Sequence, residues 1–357
     1  MTGPLTGIPS AMFDAGPFGK LAVNGFLSGF GLLQTNHLPG DDNKQAALSN
    51  GQIVIQKTDG VFQFYLQAGA YNLPSLGFPF VTTNNTQSAL FGPLPVAYVK
   101  LQAGKNTSFM VGELPTLIGA EYTFTYQNPT IERGLLWNLE PAVSRGVQVN
   151  QTMGKFTASL SWNDGFYSSR YSWLSGSLAY SNGTHALAFV GAGNLGQTAY
   201  TTGASGVTNN GSIYNIIYTY THGPWIIQPY MQYTDVPTNI KVGVADGAHT
   251  LGGAIMVSYA MKSGFSIPVR FEDLTTSGSV AQGSINLLAG PGSGGLSFTV
   301  SPTYQKGGFF VRGDLSVVHA MDLASGYGFG ANGNDATQFR VMAEVGFIFG
   351  DNIMPKK

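Results

Sequence analysis

The sequence predicts an all-β fold: a transmembrane, antiparallel, up-and-down β-barrel of about sixteen strands (range 14–18), with short turns on one rim and long loops on the other. Three observations predict it. Charged residues make up 10% of the 357 residues, against roughly 25% in an average soluble protein. Apolar and polar residues alternate with period two along segments of strand length. The breaks between those segments are short and long in turn.

The poverty of charge is local as well as global. Segments 171–234 and 274–305 contain no Asp, Glu, Lys or Arg. A soluble β-sandwich or solenoid built from such hairpins would expose wide uncharged, aromatic-rich surfaces and would not stay in solution. No stretch approaches ~18 consecutive apolar residues, which excludes a membrane-spanning helix. The net charge of −1 argues against nucleic acid or an anionic surface as partner. With no cysteine, disulfides and thiol chemistry are excluded.

Residues 1–18 fit no strand and form an N-terminal periplasmic or lumenal segment, apolar enough to plug a lumen. They lack a basic region followed by an apolar core, so the chain reads as a mature form without a signal peptide. The barrel is expected over 19–350, with 351–357 as a C-terminal tail. Its first segment, 20–33, is noisy, with Phe or Leu on both faces. VFQFYLQAGA (61–70) sets Phe62, Phe64 and Leu66 against Gln63, Tyr65 and Gln67. FTASLSWN (156–163), FSIPVRFE (265–272) and QFRVMAEVGFIF (338–349) repeat the alternation. So do the two halves of LSFTVSPTYQKGGFFVRGDLSVV (296–318).

Short breaks fall at 57–60, 103–106, 152–155, 181–184, 221–224, 261–264 and 305–308; KTDG, SNGT and KSG carry the Gly and Asn of tight hairpins. Long breaks fall at 34–51, 72–94, 114–143, 165–171, 196–210, 236–247, 275–294 and 321–336. Short turns and long loops joining an even number of strands describe a barrel of the bacterial outer membrane, periplasmic at its short-turn rim. Closure follows because lipid offers no partner to an unpaired backbone group. SINLLAG (284–290) is kept in a loop, since a strand there would put a long loop on the short-turn rim. Pro229, Pro268 and Pro302 fall inside strands and are expected to mark bulges or misplaced boundaries.

Tyr180, Tyr220, Trp225, Tyr259, Phe265, Tyr304 and Phe309 all lie near short turns, where an interfacial aromatic girdle sits. The apolar face therefore meets outer-membrane lipid and lipopolysaccharide, and the polar face lines a wet interior. A barrel of this size is wide enough for an aqueous channel, and wide barrels pack side by side, which makes a homotrimer an expectation. Loop 114–143 is the longest connection and is expected to fold inward as a constriction. It carries Glu121, Glu132, Arg133 and Glu140. Arg145 follows it, and Arg270, Glu272, Arg312, Asp314, Arg340 and Glu344 lie on the inner faces of the thirteenth, fifteenth and sixteenth strands. Facing rings of charge would bias which ions pass. Pairing that merely neutralises neighbours in the wall is the competing reading. Other inner positions, among them Gln63, Gln67, Lys100, Gln102, Asn150 and Asn215, are mostly neutral. Tyr65, Tyr98 and Phe310 would form an aromatic track if the pore were specific for a sugar or an apolar compound.

The run GAEYTFTYQNPTIERGLLWNLEPAVSRGVQV (119–149), followed by NDGFYSSRY (163–171), resembles the core signature of the OmpL-like outer-membrane β-barrel porin family. In that family a Gly-Ala-Glu motif precedes an Asn-containing segment, an aromatic or basic turn and a strand opening with Gly-Val. The likeness is good over roughly 105–200 and diffuse elsewhere. It implies a porin with diffusive transport of small polar solutes and ions, and no particular solute. Glu121, Asn128 and Arg133 occupy motif positions to which the resemblance gives no role.

No enzyme, metal site or cofactor is expected. Ser316 and His319 are three apart on one strand and so point to opposite faces, which defeats a nucleophile–base pair. The glycine-rich runs 290–295 and 326–335 have no following helix to make a phosphate cradle.

Overall fold

A computed structural model describes residues 5–198 and 206–353. The barrel begins with β2 (Lys20–Gln34), β3 (Lys44–Lys57), β4 (Phe62–Tyr71), β5 (Val96–Gln102), β6 (Thr107–Pro115), β7 (Val143–Met153), β8 (Phe156–Asn163) and β9 (Trp173–Ser181). It continues through β10 (His185–Asn194), β11 (Ser212–His222), β12 (Trp225–Val236), β13 (Ala248–Ala260) and β14 (Phe265–Thr276). It ends with β15 (Gly294–Val300), β16 (Thr303–Lys306), β17 (Phe309–Met321) and β18 (Thr337–Phe349). Each strand pairs antiparallel with its neighbours, and β18 pairs with β2 from Arg340↔Gln34 to Phe349↔Gly25, which closes the cylinder. Since β15 and β16 are two halves of one span, sixteen strands cross.

Burial is inverted relative to a soluble protein. Leu27, Phe109, Phe189, Leu251, Leu315 and Phe339 are exposed, while Gln52, Gln67, Asn215, Gln232 and Thr299 are buried. The alternation aims one set at lipid and the other at the lumen.

The prolines leave the register intact. Pro229 faces Ile255 and Pro268 faces Ser258 within continuous ladders, and although the β11–β12 ladder lapses opposite Pro229, Ile217↔Tyr230 and Tyr220↔Ile227 keep one offset across the lapse. Pro302 only interrupts the span: Val269↔Val300 and Ser266↔Thr303 keep one offset on either side of it. Each proline removes one donor, but its carbonyl still accepts, as Pro268 does from Ser301 N–H at 2.8 Å and Pro302 from Gly313 N–H at 2.8 Å. Of the two expectations, bulges are therefore corrected, while a boundary does fall at Pro302, between the end of β15 at Val300 and the start of β16 at Thr303. A register shift does occur between Ser28 and Gly29 of β2, in the segment whose alternation is noisy.

Two boundaries also differ. β3 begins at Lys44, so the loop expected over 34–51 is shorter. Residues 11–14, assigned to no strand, form β1 (Ala11–Asp14), which pairs with Lys20–Val23 of β2 just beyond the last partner of β18. Upstream of it, Leu5 is buried among Phe26, Phe310 and Ile348, and Gln305 donates to Thr6 O at 2.9 Å and accepts from Thr6 N–H at 2.6 Å. Residues 1–4 and 354–357 lie outside the described residues. The segment 284–290 contains no strand, and the loop over 72–95 carries one short helix, α1 (Thr83–Ala89).

The aromatics named above gather in cross-strand pairs beside the short turns. Trp225 and Tyr259 are 4.6 Å apart between ring centroids, Phe265 and Tyr304 4.7 Å, and Phe156 and Tyr180 5.2 Å. Phe309 faces Phe347 across β17 and β18, and Tyr220 lies 5.4 Å from His185.

Candidate functional site

Between β6 and β7 the chain enters the lumen as loop 116–142, whose one regular element is a 3-10 turn at Leu136–Leu139. Irregular backbone inside a barrel has amide and carbonyl groups with no ladder to join, and each must find another partner. The charged wall residues supply them.

Wall carboxylates accept from loop amides. Asp314 Oδ2 accepts from the N–H of Ile131 at 2.8 Å and of Glu132 at 3.1 Å. Glu272 accepts from Leu135 N–H at 2.9 Å, Leu136 N–H at 3.3 Å and the Ser297 hydroxyl at 2.5 Å. Wall guanidiniums donate to loop carbonyls. Arg312 reaches the oxygens of Thr125, Asn128 and Pro129 at 2.8, 2.9 and 2.8 Å. Arg270 reaches Glu132 O at 2.8 Å, while Arg340 reaches Ser75 O at 2.8 Å and Phe78 O at 2.6 Å in the neighbouring loop over 72–95.

Ion pairs overlie this scaffold. Arg270 pairs with Glu121 at 2.6 Å and Glu272 at 3.4 Å, Arg340 with Glu132 at 2.8 Å, and Arg312 with Glu344 at 3.3 Å. Every partner is 3% exposed or less. Asn128 braces the turn, donating to Glu121 Oε1 at 3.0 Å and accepting from Tyr122 N–H at 3.0 Å. Gly134 has no alternative: a Cβ there would lie 2.0 Å from Glu272 Oε1.

The inward fold thus brings Glu121 and Glu132 together with Arg270, Glu272, Arg312, Asp314, Arg340 and Glu344. It buries all but Asp314 in ion pairs, and Asp314 is capped by the two loop amides, so they present no ring of free charge to a solute. Arg133 is buried too. It donates to Pro74 O at 3.2 Å, Ile131 O at 3.1 Å and Thr123 O, and burial pulls its guanidinium down to about 9, which leaves it charged at neutral pH. Arg145 does not join this wall. It binds Asp164 at 2.9 Å and Ser169 Oγ at 2.7 Å, and lies over the Tyr167 ring at 3.9 Å.

Glu140 stands apart. It is buried, yet neither carboxylate oxygen has a hydrogen-bond partner among the described residues. Burial, and then the charges of Glu121 and Glu272, hold its carboxyl well above the usual carboxylate range.

Sequence reasoning missed Asp164, Ser49, Thr125 and Gln34. Ser49 and Thr125 donate to Glu344 at 2.6 and 3.2 Å, and Gln34 accepts from Arg340 at 2.9 Å. Asp164 lies inside the quoted run NDGFYSSRY, so its signal was present without a partner attached. Ser316 donates to Glu132 inside the lumen at 3.0 Å, while His319 lies outside, 2.8 Å from Thr337 Oγ1.

Two cavities flank the loop. An inner one of about 560 Å³ opens toward the short-turn rim between residues 115–124 and the wall of β4, β5 and β9–β11. Its wall is neutral: Gln67, Ser177, Ala179, Ala188 and Thr219, with Tyr65 and Tyr98 stacked at 5.5 Å. An outer one of about 350 Å³ lies among Phe78, Val81, Leu90, Phe91, Trp137 and Glu140. Val143 lines both. Beside it pack Tyr71 and Phe124, with ring centroids 5.4 Å apart. Among the described lining, Glu121 is the one Asp, Glu, Lys or Arg of the inner cavity and Glu140 that of the outer. Phe310 is no part of an aromatic track; it is buried beneath the loop.

The family model "Putative beta-barrel porin-2, OmpL-like" matches residues 20–349. No curated protein matches the chain in sequence. Among solved structures, OmpF of Salmonella typhi in complex with daunomycin superposes with a TM-score of 0.62 at 11% identity, covering 92% of this chain and 98% of that one. OmpT of Vibrio cholerae, expressed in the outer membrane, gives 0.60 at 11% identity, with 92% and 98% covered. These likenesses are to the fold.

Proposed function

The chain belongs to the β-barrel porin-2, OmpL-like family and is an outer-membrane barrel channel; we propose that it passes small solutes by passive diffusion along the uncharged side of the lumen, beside loop 116–142. The observation that carries this reading is the position of the loop. Its charges are spent holding it against β14, β17 and β18, and the two cavities lie on its other side. A solute on that route meets amides, hydroxyls, alanines and aromatic rings. Lipid and lipopolysaccharide cover the outer band. The chain acts as a channel and not as a hydrolase, a reading supported by the opposite facing of Ser316 and His319.

Conductance of the purified protein in a planar bilayer tests the proposal. Stable unitary steps are expected, with a reversal potential near zero in a salt gradient, because the arginines of β14, β17 and β18 are cancelled by buried carboxylates. Persistent silence would overturn diffusion, and strong selectivity for one ion sign would overturn the uncharged route.

A further inference from the structure

We propose that Tyr71, Phe124 and Val143 form a hydrophobic gate between the two cavities, closed and dry in this structure, which a solute or ion must part to cross the lumen. The inference rests on the channel reading and adds the residues that decide when the route conducts.

Position is the first argument. Phe124 lines the inner cavity and Phe91 the outer one. The Tyr71 ring meets both, its centroid 5.4 Å from that of Phe124 and 6.4 Å from that of Phe91. Val143, where the chain leaves the loop and begins β7, lines both cavities and packs in the same apolar cluster. That cluster also takes Val96 from the inner lining and Leu73 from the outer, so it spans the ground between them.

Closure is the second. Tyr71, Val143 and Phe124 are 0, 1 and 2% exposed, so no layer of water separates them. The nearest polar groups are engaged with one another. The Tyr71 hydroxyl accepts from Phe91 N–H at 3.1 Å, and the Ala142 carbonyl accepts from the Thr123 hydroxyl and Thr116 N–H, both at 3.3 Å.

The chemistry follows from these two. Whatever crosses must shed water against methyl groups and rings, and an apolar constriction of this kind gates by dewetting. The cost falls hardest on the most strongly hydrated species. Since the buried network leaves no free ring of charge, hydration and not sign decides what passes.

Single-channel recording of the full chain in a planar bilayer tests the gate, parent against Val143→Thr, with heat-resistant gel mobility as the check on folding. Threonine keeps the shape and places a hydroxyl in the dry neck, where leaving it unpaired is costly. The fraction of time spent open is therefore expected to rise at least about fivefold. In the parent, caesium current relative to lithium current should exceed the ratio of the two salt solutions' own conductivities, and the excess should shrink in Val143→Thr. Val143→Cys gives an independent readout, because the chain has no cysteine of its own. A charged methanethiosulfonate is expected to modify it only while the channel conducts, and to change the step as it does so. Parent-like open time in folded Val143→Thr, or current through Val143→Cys indifferent to the reagent, would overturn the gate and leave the channel reading standing. Absence of conductance in parent and variants alike would overturn the channel reading beneath it.

Discussion

Replacing Arg270 with methionine removes the centre of the buried network while nearly keeping its volume. In the parent, the guanidinium pairs with Glu121 and Glu272 and donates to Thr130 Oγ1 at 2.8 Å, Glu132 O at 2.8 Å and Thr299 Oγ1 at 3.2 Å. Its loss strands two carboxylates, both unexposed, with no counter-charge at the same place. Breaking a buried pair from one side costs about 3–5 kcal/mol, which is roughly a 10²- to 10⁴-fold shift of the loop from docked to undocked. Arg312, Arg340 and Asp314 still hold their own segments, so local release of residues 130–136 is expected, with the barrel intact. The assay is paired: thermal unfolding by loss of heat-resistant gel mobility, and single-channel recording. R270M should melt earlier and show larger, noisier steps. Adding Glu121→Gln and Glu272→Gln should recover much of the loss, since neutral groups carry a far smaller desolvation cost. Parent-like melting and quiet, parent-like conductance in R270M would refute the view that this arginine pins the loop.

Gly134→Ala should displace the Glu272 carboxylate, whose oxygen lies 2.0 Å from the new Cβ, and cost about 1–3 kcal/mol by overpacking; a melting temperature equal to the parent's would contradict this. Glu140 sets a pH dependence whose sign is fixed. Its folded carboxyl binds a proton more tightly than the unfolded one, so its contribution is fully present below the ordinary value of 4.5 and declines by up to about 1.36 kcal/mol per pH unit above it. Melting curves of the parent and Glu140→Gln should therefore diverge in favour of the glutamine as pH rises, and parallel curves would exclude a raised carboxyl. Brominated lipid should quench Trp225, which is exposed beside a short turn, and spare Trp173, which is 1% exposed within the wall and donates to Asn209 O at 3.0 Å; single-tryptophan variants read each separately.

The barrel was legible in the sequence because its cause is local. Period-two alternation in FSIPVRFE and QFRVMAEVGFIF fixes which residues share a face, and the alternation of KTDG-like turns with long breaks fixes the rims. Charge-free stretches then decide the solvent: a surface without ions suits lipid. The inward loop was legible from its length, and the wall charges from their parity. That no bulge forms at the prolines has a physical reason as well. A missing donor costs one hydrogen bond, yet Pro268 and Pro302 keep their carbonyls in the ladder, so the register has no need to shift.

Partnership was not legible, because it is set by closure of the cylinder and not by neighbours along the chain. Arg270 meets Glu121 across 149 residues and Arg340 meets Glu132 across 208. Arg145 shares the outward parity of the exposed Val147, and Asp164, brought beside it by β8 and the following loop, holds it there and not in the wall. Spacing along the chain likewise gave no sign that Glu121 would be satisfied by Arg270, Asn128 and the Gly134 amide while Glu140 is left without a partner. Alternation and composition determine that this chain closes into a barrel in lipid. Only the folded lumen, where distant strands face one inserted loop, decides which charges cancel and which carboxyl is left buried without a partner.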